Sequence, residues 1–260
     1  ESASIFCGPD APKTWVGVYD HIFLENIEQQ IKAIDTPTFH FIYTTSNHSP
    51  YKIEDSLLDY DPATVMPHVG EDLRSNKTRN KELATYRYSD KALFSFVDSM
   101  KKAYPDSLFI ITGDHSNLFG SLNNTSLIHR DYTLRDTFCT VALLQHPDLD
   151  SNMITTQKGT HMSLMPTIIE AIAPKGFEYY SITPSLFDDQ PETLVTPYQW
   201  ITDSLMGDVR SDYGESNQPS AEPVTQIRPI DNHAKEARDW SLLTTWLINH
   251  EEKLFSKKDD

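Results

Sequence analysis

The sequence predicts an α/β fold, with a largely parallel sheet flanked by helices and a small C-terminal α+β extension. Segments with the apolar spacing of amphipathic helices alternate with short runs of aromatic and β-branched residues, which is the pattern of helices layered on a sheet. In addition, the run at residues 108–112 is almost wholly apolar, as in strands that a parallel sheet buries on both faces. We expect residues 1–188 to form the α/β domain and residues 189–260 to form the extension.

The first half of the chain contains two predicted helices and two predicted strands. Residues 19–34 place isoleucine and phenylalanine at helical spacing, and aromatic and β-branched residues at 38–45 then indicate a strand. Residues 51–80 are polar and read as a long surface loop. A second amphipathic helix over residues 80–102 leads into the strand at 108–112.

The second half follows the same alternation before it becomes irregular. Residues 137–144 predict a further strand, and residues 159–172 read as a loop entering a helix, with Pro166 in its first turn. Residues 188–235 are rich in Pro, Ser, Asp and Gly, which indicates short strands and loops. The chain ends in a predicted helix at residues 234–255.

Composition and charge limit the classes of function. The 260 residues are 38% hydrophobic with 12 Tyr, 12 Phe and 4 Trp, so the chain should fold into a globule. A net charge of −16 argues against a nucleic-acid partner, because no stripe of Lys and Arg could neutralise phosphates. Cys7 and Cys139 match no zinc or redox spacing and could be either a disulfide or two thiols. No signal peptide or membrane-spanning run is present, and the absence of an initiating Met suggests a chain cut from a longer one.

Asp114 and His115 are the candidate metal ligands. They follow the apolar run at 108–112 directly, and ligands of open α/β sheets bind beyond the carboxyl ends of strands. Gly113 breaks the strand and lets the backbone approach a ligand. A carboxylate oxygen and an imidazole nitrogen together suit a divalent cation such as Zn²⁺ or Mn²⁺, or Mg²⁺ with more oxygen ligands. Two ligands are too few for a catalytic site, so further ligands are expected from elsewhere.

Other polar residues carry weaker signals. His48 lies in a turn just after the predicted strand at 38–45, where it could contact a ligand or simply be exposed. His161 is better explained as a helix-capping or surface residue, and Ser116 as a residue that hydrogen-bonds within its loop. No Gly-x-Ser-x-Gly elbow, phosphate-binding glycine loop or Cys-centred pattern occurs. The sequence therefore assigns no catalytic nucleophile.

Six short motifs, taken together and in order, resemble a known family. Their arrangement is similar to that in the second half of the lipoteichoic acid synthase and phosphoglycerol transferase branch of the sulfatase and alkaline phosphatase superfamily. Ser116 departs from the Gly common in that family. The motifs are WVGVYD at 15–20, TSNHSPY at 45–51, YRYSDKAL at 86–93, ITGDH at 111–115, MPTII at 165–169 and SLF at 185–187.

The resemblance implies a fold, a cofactor and a substrate. The fold would be a partial alkaline phosphatase-like α/β sandwich in which Asp114 and His115 ligate one divalent ion, Mn²⁺ or Mg²⁺, with Zn²⁺ possible. His48 would contact the phosphoglycerol head group of a phospholipid, or another phosphoester or sulfoester. The family's nucleophilic threonine and its acidic metal ligand precede the region matched by this sequence, so the chain alone should be inactive and should need the upstream part of the same protein. The enzyme would be extracytoplasmic, in the periplasm or at the cell surface, and anchored by N-terminal transmembrane segments.

Two other functions stay open from sequence. One is a sulfatase or phosphodiesterase acting on a soluble substrate, because the choice between sulfate and phosphate depends largely on residues outside this chain. The other is a binding module that keeps the sheet without catalysis.

Overall fold

The protein is a mixed α/β chain that forms two compact units. The computed structural model describes residues 7–61, 70–116, 133–153, 158–196, 198–210, 214–216 and 233–250. The first unit holds the described residues within 7–112 and 142–148, and the second holds the remainder. The predicted domain boundary after residue 188 stays a prediction.

The first unit is built on a pair of helices that confirms the predictions for residues 19–34 and 80–102. Helix α1 spans Asp20–Lys32, helix α2 spans Glu71–Arg74 and helix α3 spans Lys77–Ala103. The Asn76 side chain accepts a hydrogen bond from the Arg79 amide and caps the start of α3. A 3₁₀ turn at Asp55–Leu57 precedes α2 within the predicted loop. The apolar faces of α1 and α3 meet in a cluster of Leu24, Phe96, Val97 and Met100.

The sheet of the first unit corrects the prediction of a largely parallel sheet. Strand β1, Phe109–Thr112, pairs antiparallel with β2, Ala142–Gln145, and the other sheet among the described residues is antiparallel too. The apolar run did mark a strand, and Phe109 packs against the α1–α3 core. However, an apolar run indicates burial and carries no information on the direction of the neighbouring strand. Residues 109–111 of β1 are only partly buried and Thr112 is exposed, so full burial on both faces is not observed.

Residues 38–45 do not form the predicted strand, because β structure requires a hydrogen-bonded neighbour as well as a suitable composition. The structure assigns this segment to no strand. Ile42 packs against the α1–α3 core, whereas Phe39 and Phe41 are 60% and 82% exposed. The segment therefore alternates between packed and exposed side chains, and its outward aromatic face is uncovered.

The strand predicted at 137–144 begins later than expected. Helix α4, Leu134–Phe138, occupies its start, and β2 begins only at Ala142. A capping box explains the helix, since the Thr133 hydroxyl accepts from the Asp136 amide while the Asp136 carboxylate accepts from the Thr133 amide. Local capping outweighs the β propensity of Thr137 and Phe138.

The second unit confirms the prediction of short strands between residues 188 and 235, and the predicted helices on either side. Helix α5 spans Leu164–Ile172 with Pro166 in its first turn, and α6 spans His233–Asn249, while residues 251–255 lie outside the described part. Trp200 is fully buried and packs with Val209. The strands form one antiparallel sheet in chain order: β3 Leu194–Val195, β4 Gln199–Ile201, β5 Leu205–Asp208 and β6 Gly214–Ser216. Short 3₁₀ turns lie at Ser151–Met153 and His161–Ser163.

Two further features of the described residues bear on function. Cys7 and Cys139 are free thiols, and burial raises the pKa of both. Within the described ranges, no helix combines the length and the apolar character needed to cross a bilayer.

Candidate functional site

Asp114 and His115 lie side by side in the loop that directly follows β1. Asp114 Oδ2 and His115 Nε2 are 3.5 Å apart, and the two side chains are 50% and 68% exposed. The Asp114 Oδ1 atom also accepts a hydrogen bond of 2.9 Å from the His115 amide, which holds the carboxylate against its neighbour. The structure thus brings together the two predicted ligands.

The hydrogen bond on the far side of the His115 ring determines which nitrogen can bind a cation. His115 Nδ1 lies 2.7 Å from the carbonyl oxygen of Ser116, and a carbonyl oxygen can only accept, so Nδ1 carries the proton. Nε2 is then the nitrogen on the Asp114 side of the ring: in the imidazolium form it donates to the carboxylate, and in the neutral form its lone pair and the carboxylate offer two ligands to a cation. Metal-binding histidines commonly donate their other N–H to a backbone carbonyl in this way.

The donor set fits a divalent ion. Two ligands that bind one ion at about 2.0–2.2 Å are separated by roughly 3–3.6 Å, which includes the 3.5 Å between these atoms. Over the described ranges, however, no three His, Cys, Asp or Glu side chains converge on a possible metal position. Asp114 and His115 would therefore supply two ligands of a shell that needs more.

Backbone and hydroxyl contacts hold the loop in place. The Ser116 hydroxyl lies 2.5 Å from the Asp136 carbonyl oxygen and within hydrogen-bonding distance of that of Thr137, so Ser116 ties the loop to α4, in agreement with its predicted role. Gly113 is required for close packing, because a Cβ there would lie 2.5 Å from Thr140 Oγ1.

His161 is hydrogen-bonded to this loop, and it does not converge with Asp114 and His115 on one metal position. Its Nε2 lies 2.8 Å from the carbonyl oxygen of Gly113, so this nitrogen is the protonated donor. His161 is exposed at the start of the 3₁₀ turn before α5. The sequence analysis favoured a surface or capping histidine, and the contact with the metal loop was missed because it joins residues 48 positions apart.

His48 lies in the first unit, at the centre of a hydrogen-bonded turn. Its Nδ1 lies 2.6 Å from the carbonyl oxygen of Ser49, so Nδ1 carries the proton and Nε2 points elsewhere. The Trp15 ring meets the His48 ring edge-on at 5.3 Å, and the Trp15 indole N–H donates to the same Ser49 oxygen at 3.0 Å. The side chain of His48 is exposed, so a ligand can reach it.

Sequence reasoning placed Trp15 and Asp20 in a motif but did not connect them, or Glu82, with this turn. Trp15, Asp20 and Glu82 all contact it or anchor its ends. Asp20 and Glu82 are each only 1% exposed although both carry a carboxylate. A buried acidic residue beside a predicted site is visible only in three dimensions, because its sequence neighbours resemble those of any amphipathic helix.

Comparison with known proteins identifies one matching family. The model of the sulfatase family matches residues 3–173, which is more than half of the chain and includes His48, Asp114 and His115. No match to the chain is found among curated proteins.

Proposed function

The chain belongs to the sulfatase family. We propose that it is part of a metal-dependent enzyme that removes the phosphoglycerol head group from a phospholipid and transfers it to an acceptor alcohol or to water. The family match supports a hydrolase or transferase of this superfamily. The finer assignment, to the lipoteichoic acid synthase branch, is supported by the order of the short motifs in the sequence. The proposed setting is the outer side of the cytoplasmic membrane, where such a lipid head group is displayed.

The observation that carries the proposal is the arrangement of Asp114 and His115. Asp114 Oδ2 and His115 Nε2 are 3.5 Å apart, and the second nitrogen of the imidazole donates to a backbone carbonyl. These are the properties expected of two ligands to Mn²⁺ or Mg²⁺, with Zn²⁺ also compatible. When bound, a divalent ion polarises the ester and favours ionisation of an attacking hydroxyl.

His48 is proposed to bind the head group. Its Nδ1–H is held by the Ser49 carbonyl oxygen, so the exposed Nε2 either accepts from a glycerol hydroxyl or, in the imidazolium form, donates to a phosphoryl oxygen. Both modes orient the head group without contributing a nucleophile. The nearby indole of Trp15 limits the directions from which a ligand can approach.

The nucleophile and the missing acidic ligand are proposed to come from the upstream part of the same protein. Asp114 and His115 provide two donors, and no nucleophile motif occurs in the sequence. The uncovered aromatic face of residues 38–45 supports the same proposal, since Phe39 and Phe41 are more than half exposed. We propose that strands from the upstream part cover this face and complete an alkaline phosphatase-like sheet.

A turnover assay tests this proposal. The isolated chain should not consume a fluorescent phosphatidylglycerol analogue in the presence of Mn²⁺, whereas the chain joined to its upstream part should. In that longer protein, His48→Ala should lower kcat/KM by about tenfold or more, and His250→Ala, which removes a histidine just after α6, should not. Robust turnover by the isolated chain would refute the need for an upstream nucleophile.

A sulfatase remains the second candidate, because the matching family model is that of sulfatases. A sulfate monoester and the phosphodiester of phosphatidylglycerol both offer anionic oxygens on a tetrahedral centre to a bound cation. Comparing an aryl sulfate with the phosphatidylglycerol analogue on the longer protein distinguishes the two. Faster turnover of the aryl sulfate would replace the phosphoglycerol assignment.

A further inference from the structure

The turn that carries His48 is anchored at both ends by buried carboxylates. Asp20 is the first residue of α1, and Glu82 lies on α3. Each is only 1% exposed, although burial of a carboxylate is unfavourable unless hydrogen bonds or opposite charges compensate for the lost hydration. Both carboxylates accept hydrogen bonds from residues of the turn at 45–51.

Asp20 holds the beginning of the turn. Its Oδ1 atom accepts hydrogen bonds from the amides of Thr45, at 3.1 Å, and Ser46, at 3.0 Å. In return, the Asp20 amide donates to the Ser46 hydroxyl at 2.8 Å, and the fully buried Ser46 cannot move without breaking these bonds. Oδ2 accepts from the Ser89 hydroxyl on α3 at 3.0 Å.

Glu82 holds the end of the turn. The Tyr51 hydroxyl donates to Glu82 Oε1 at 2.8 Å, and Arg79 forms an ion pair with Oε2. Tyr51 has φ of 59°, a left-handed conformation that is unfavourable for a residue with a Cβ. The hydrogen bond to the buried Glu82 carboxylate compensates for this strain and keeps Tyr51 in place.

Between these anchors, the turn is closed by local bonds. The His48 amide donates to the Thr45 carbonyl oxygen, and the Tyr51 amide donates to that of His48, each at 3.1 Å. His48 thus lies on a segment with both ends fixed to the helix pair, while its ring is oriented by Ser49 and Trp15. Fixing a binding group before the ligand arrives reduces the entropy lost on binding.

We propose that Asp20 and Glu82 are positioning residues that hold His48 in its ligand-binding arrangement. The proposal rests on the proposed role of His48 in head-group binding. Neither carboxylate need touch the ligand. Asp20 would act through its acceptor oxygens on the amides of Thr45 and Ser46, and Glu82 through the Tyr51 hydroxyl.

The test uses a pair of serines that the chain itself supplies as variant and control. Ser89 and Ser99 both lie on α3, are both half-buried and both donate to a carboxylate on α1, Ser89 to Asp20 and Ser99 to Glu28. Of these two carboxylates, only that of Asp20 is hydrogen-bonded to the turn at 45–51. Ser89→Ala should shift the NMR signals of the Trp15 indole N–H and the His48 ring, whereas Ser99→Ala should leave them unchanged.

Substitutions at the anchors add the functional readout. Asp20→Asn keeps an acceptor oxygen for both amides, so it should bind glycerol 1-phosphate nearly as well as the wild type. Asp20→Ala leaves those amides unpaired and should weaken binding by about tenfold. Tyr51→Phe, which removes one hydroxyl and alters no charge, should also shift the His48 signals. Melting curves identify a variant that has merely unfolded.

The outcomes separate this inference from the proposed function. If His48→Ala abolishes binding of glycerol 1-phosphate but Ser89→Ala, Asp20→Ala and Tyr51→Phe leave both binding and the Trp15 and His48 signals intact, the positioning role is wrong. If those variants move the signals but neither they nor His48→Ala affect binding in the longer protein, the head-group role of His48 fails while the anchoring stands. If Asp20→Asn is as defective as Asp20→Ala, the charge of Asp20 matters in itself and positioning is overturned.

Discussion

At the scale of single residues, backbone carbonyl oxygens determine which nitrogen of each site histidine is available. The carbonyl oxygens of Ser116 and Ser49 accept hydrogen bonds from Nδ1–H of His115 and His48, which leaves Nε2 of each ring for a ligand. The carbonyl of Gly113 takes the Nε2 proton of His161 instead. These three histidines therefore differ in chemistry although they look alike in the sequence.

Gly113 provides a prediction at the same scale. A Cβ at this position would lie 2.5 Å from Thr140 Oγ1, well inside van der Waals contact, so Gly113→Ala should destabilise the protein by about 1–3 kcal/mol. Urea denaturation measures the change. The double variant Gly113→Ala with Thr140→Ala should recover much of the loss because the clashing hydroxyl is gone. If Gly113→Ala destabilises the Thr140→Ala variant as much as it destabilises the wild-type protein, this explanation is contradicted.

Among the site residues, the sequence was sufficient where neighbours in the chain are also neighbours in space. Asp114 and His115 could be paired because they are adjacent and follow an apolar run. Asp20 and Glu82 could not be linked to the turn of His48, because their contacts cross 25 and 31 residues. The charge pattern of an amphipathic helix does not show which carboxylate is buried.

At the scale of helices and strands, the reliable predictions were those set by local periodicity. Helices α1, α3 and α5 lie where apolar residues recur at three- and four-residue spacing. Strands depend on partners that are distant in the chain. Residues 38–45 therefore have the composition of a strand but form none, and β1 pairs antiparallel with β2 where a parallel neighbour was predicted. The capping box of α4 was readable from Thr133 and Asp136, but the β-branched run after it dominated the prediction.

The four-stranded sheet of the second unit gives a sharper prediction. A Cβ on Gly207 of β5 would lie 2.1 Å from Cζ2 of Trp200, the fully buried residue that pairs with it across the strands. Because a buried indole cannot move aside, Gly207→Ala should destabilise this sheet by about 3 kcal/mol. Ser204→Ala, in the exposed turn before β5, is the matched control.

Near-ultraviolet circular dichroism and urea denaturation report on the packing of Trp200 and on stability. If Gly207→Ala lowers both the near-ultraviolet tryptophan signal and the stability, and Ser204→Ala lowers neither, close packing of the indole on Gly207 is supported. An unchanged denaturation midpoint in Gly207→Ala would contradict it.

At the scale of the whole molecule, the sulfatase family match covers residues 3–173 and includes His48, Asp114 and His115. The net charge of −16 makes a bound divalent cation especially important for any anionic ester substrate, because it supplies local positive charge. The proposed roles are head-group binding by His48 and metal ligation by Asp114 and His115. The proposed upstream part of the protein supplies the attacking group.

Metal ligation by His115 is the central claim, and a Zn²⁺ titration followed by ¹⁵N NMR of the histidine rings tests it most directly. Zn²⁺ is diamagnetic and accepts the same carboxylate and imidazole donors. The His115 Nε2 resonance should shift on binding while its Nδ1 keeps the proton donated to Ser116, and Asp114→Ala should weaken the response by at least about tenfold. His146, which lies beside Asp148 with an Nδ1–Oδ2 distance of 3.9 Å, serves as the comparison pair. A His115 ring that does not respond to Zn²⁺, or responds no more than His146, would contradict the assignment.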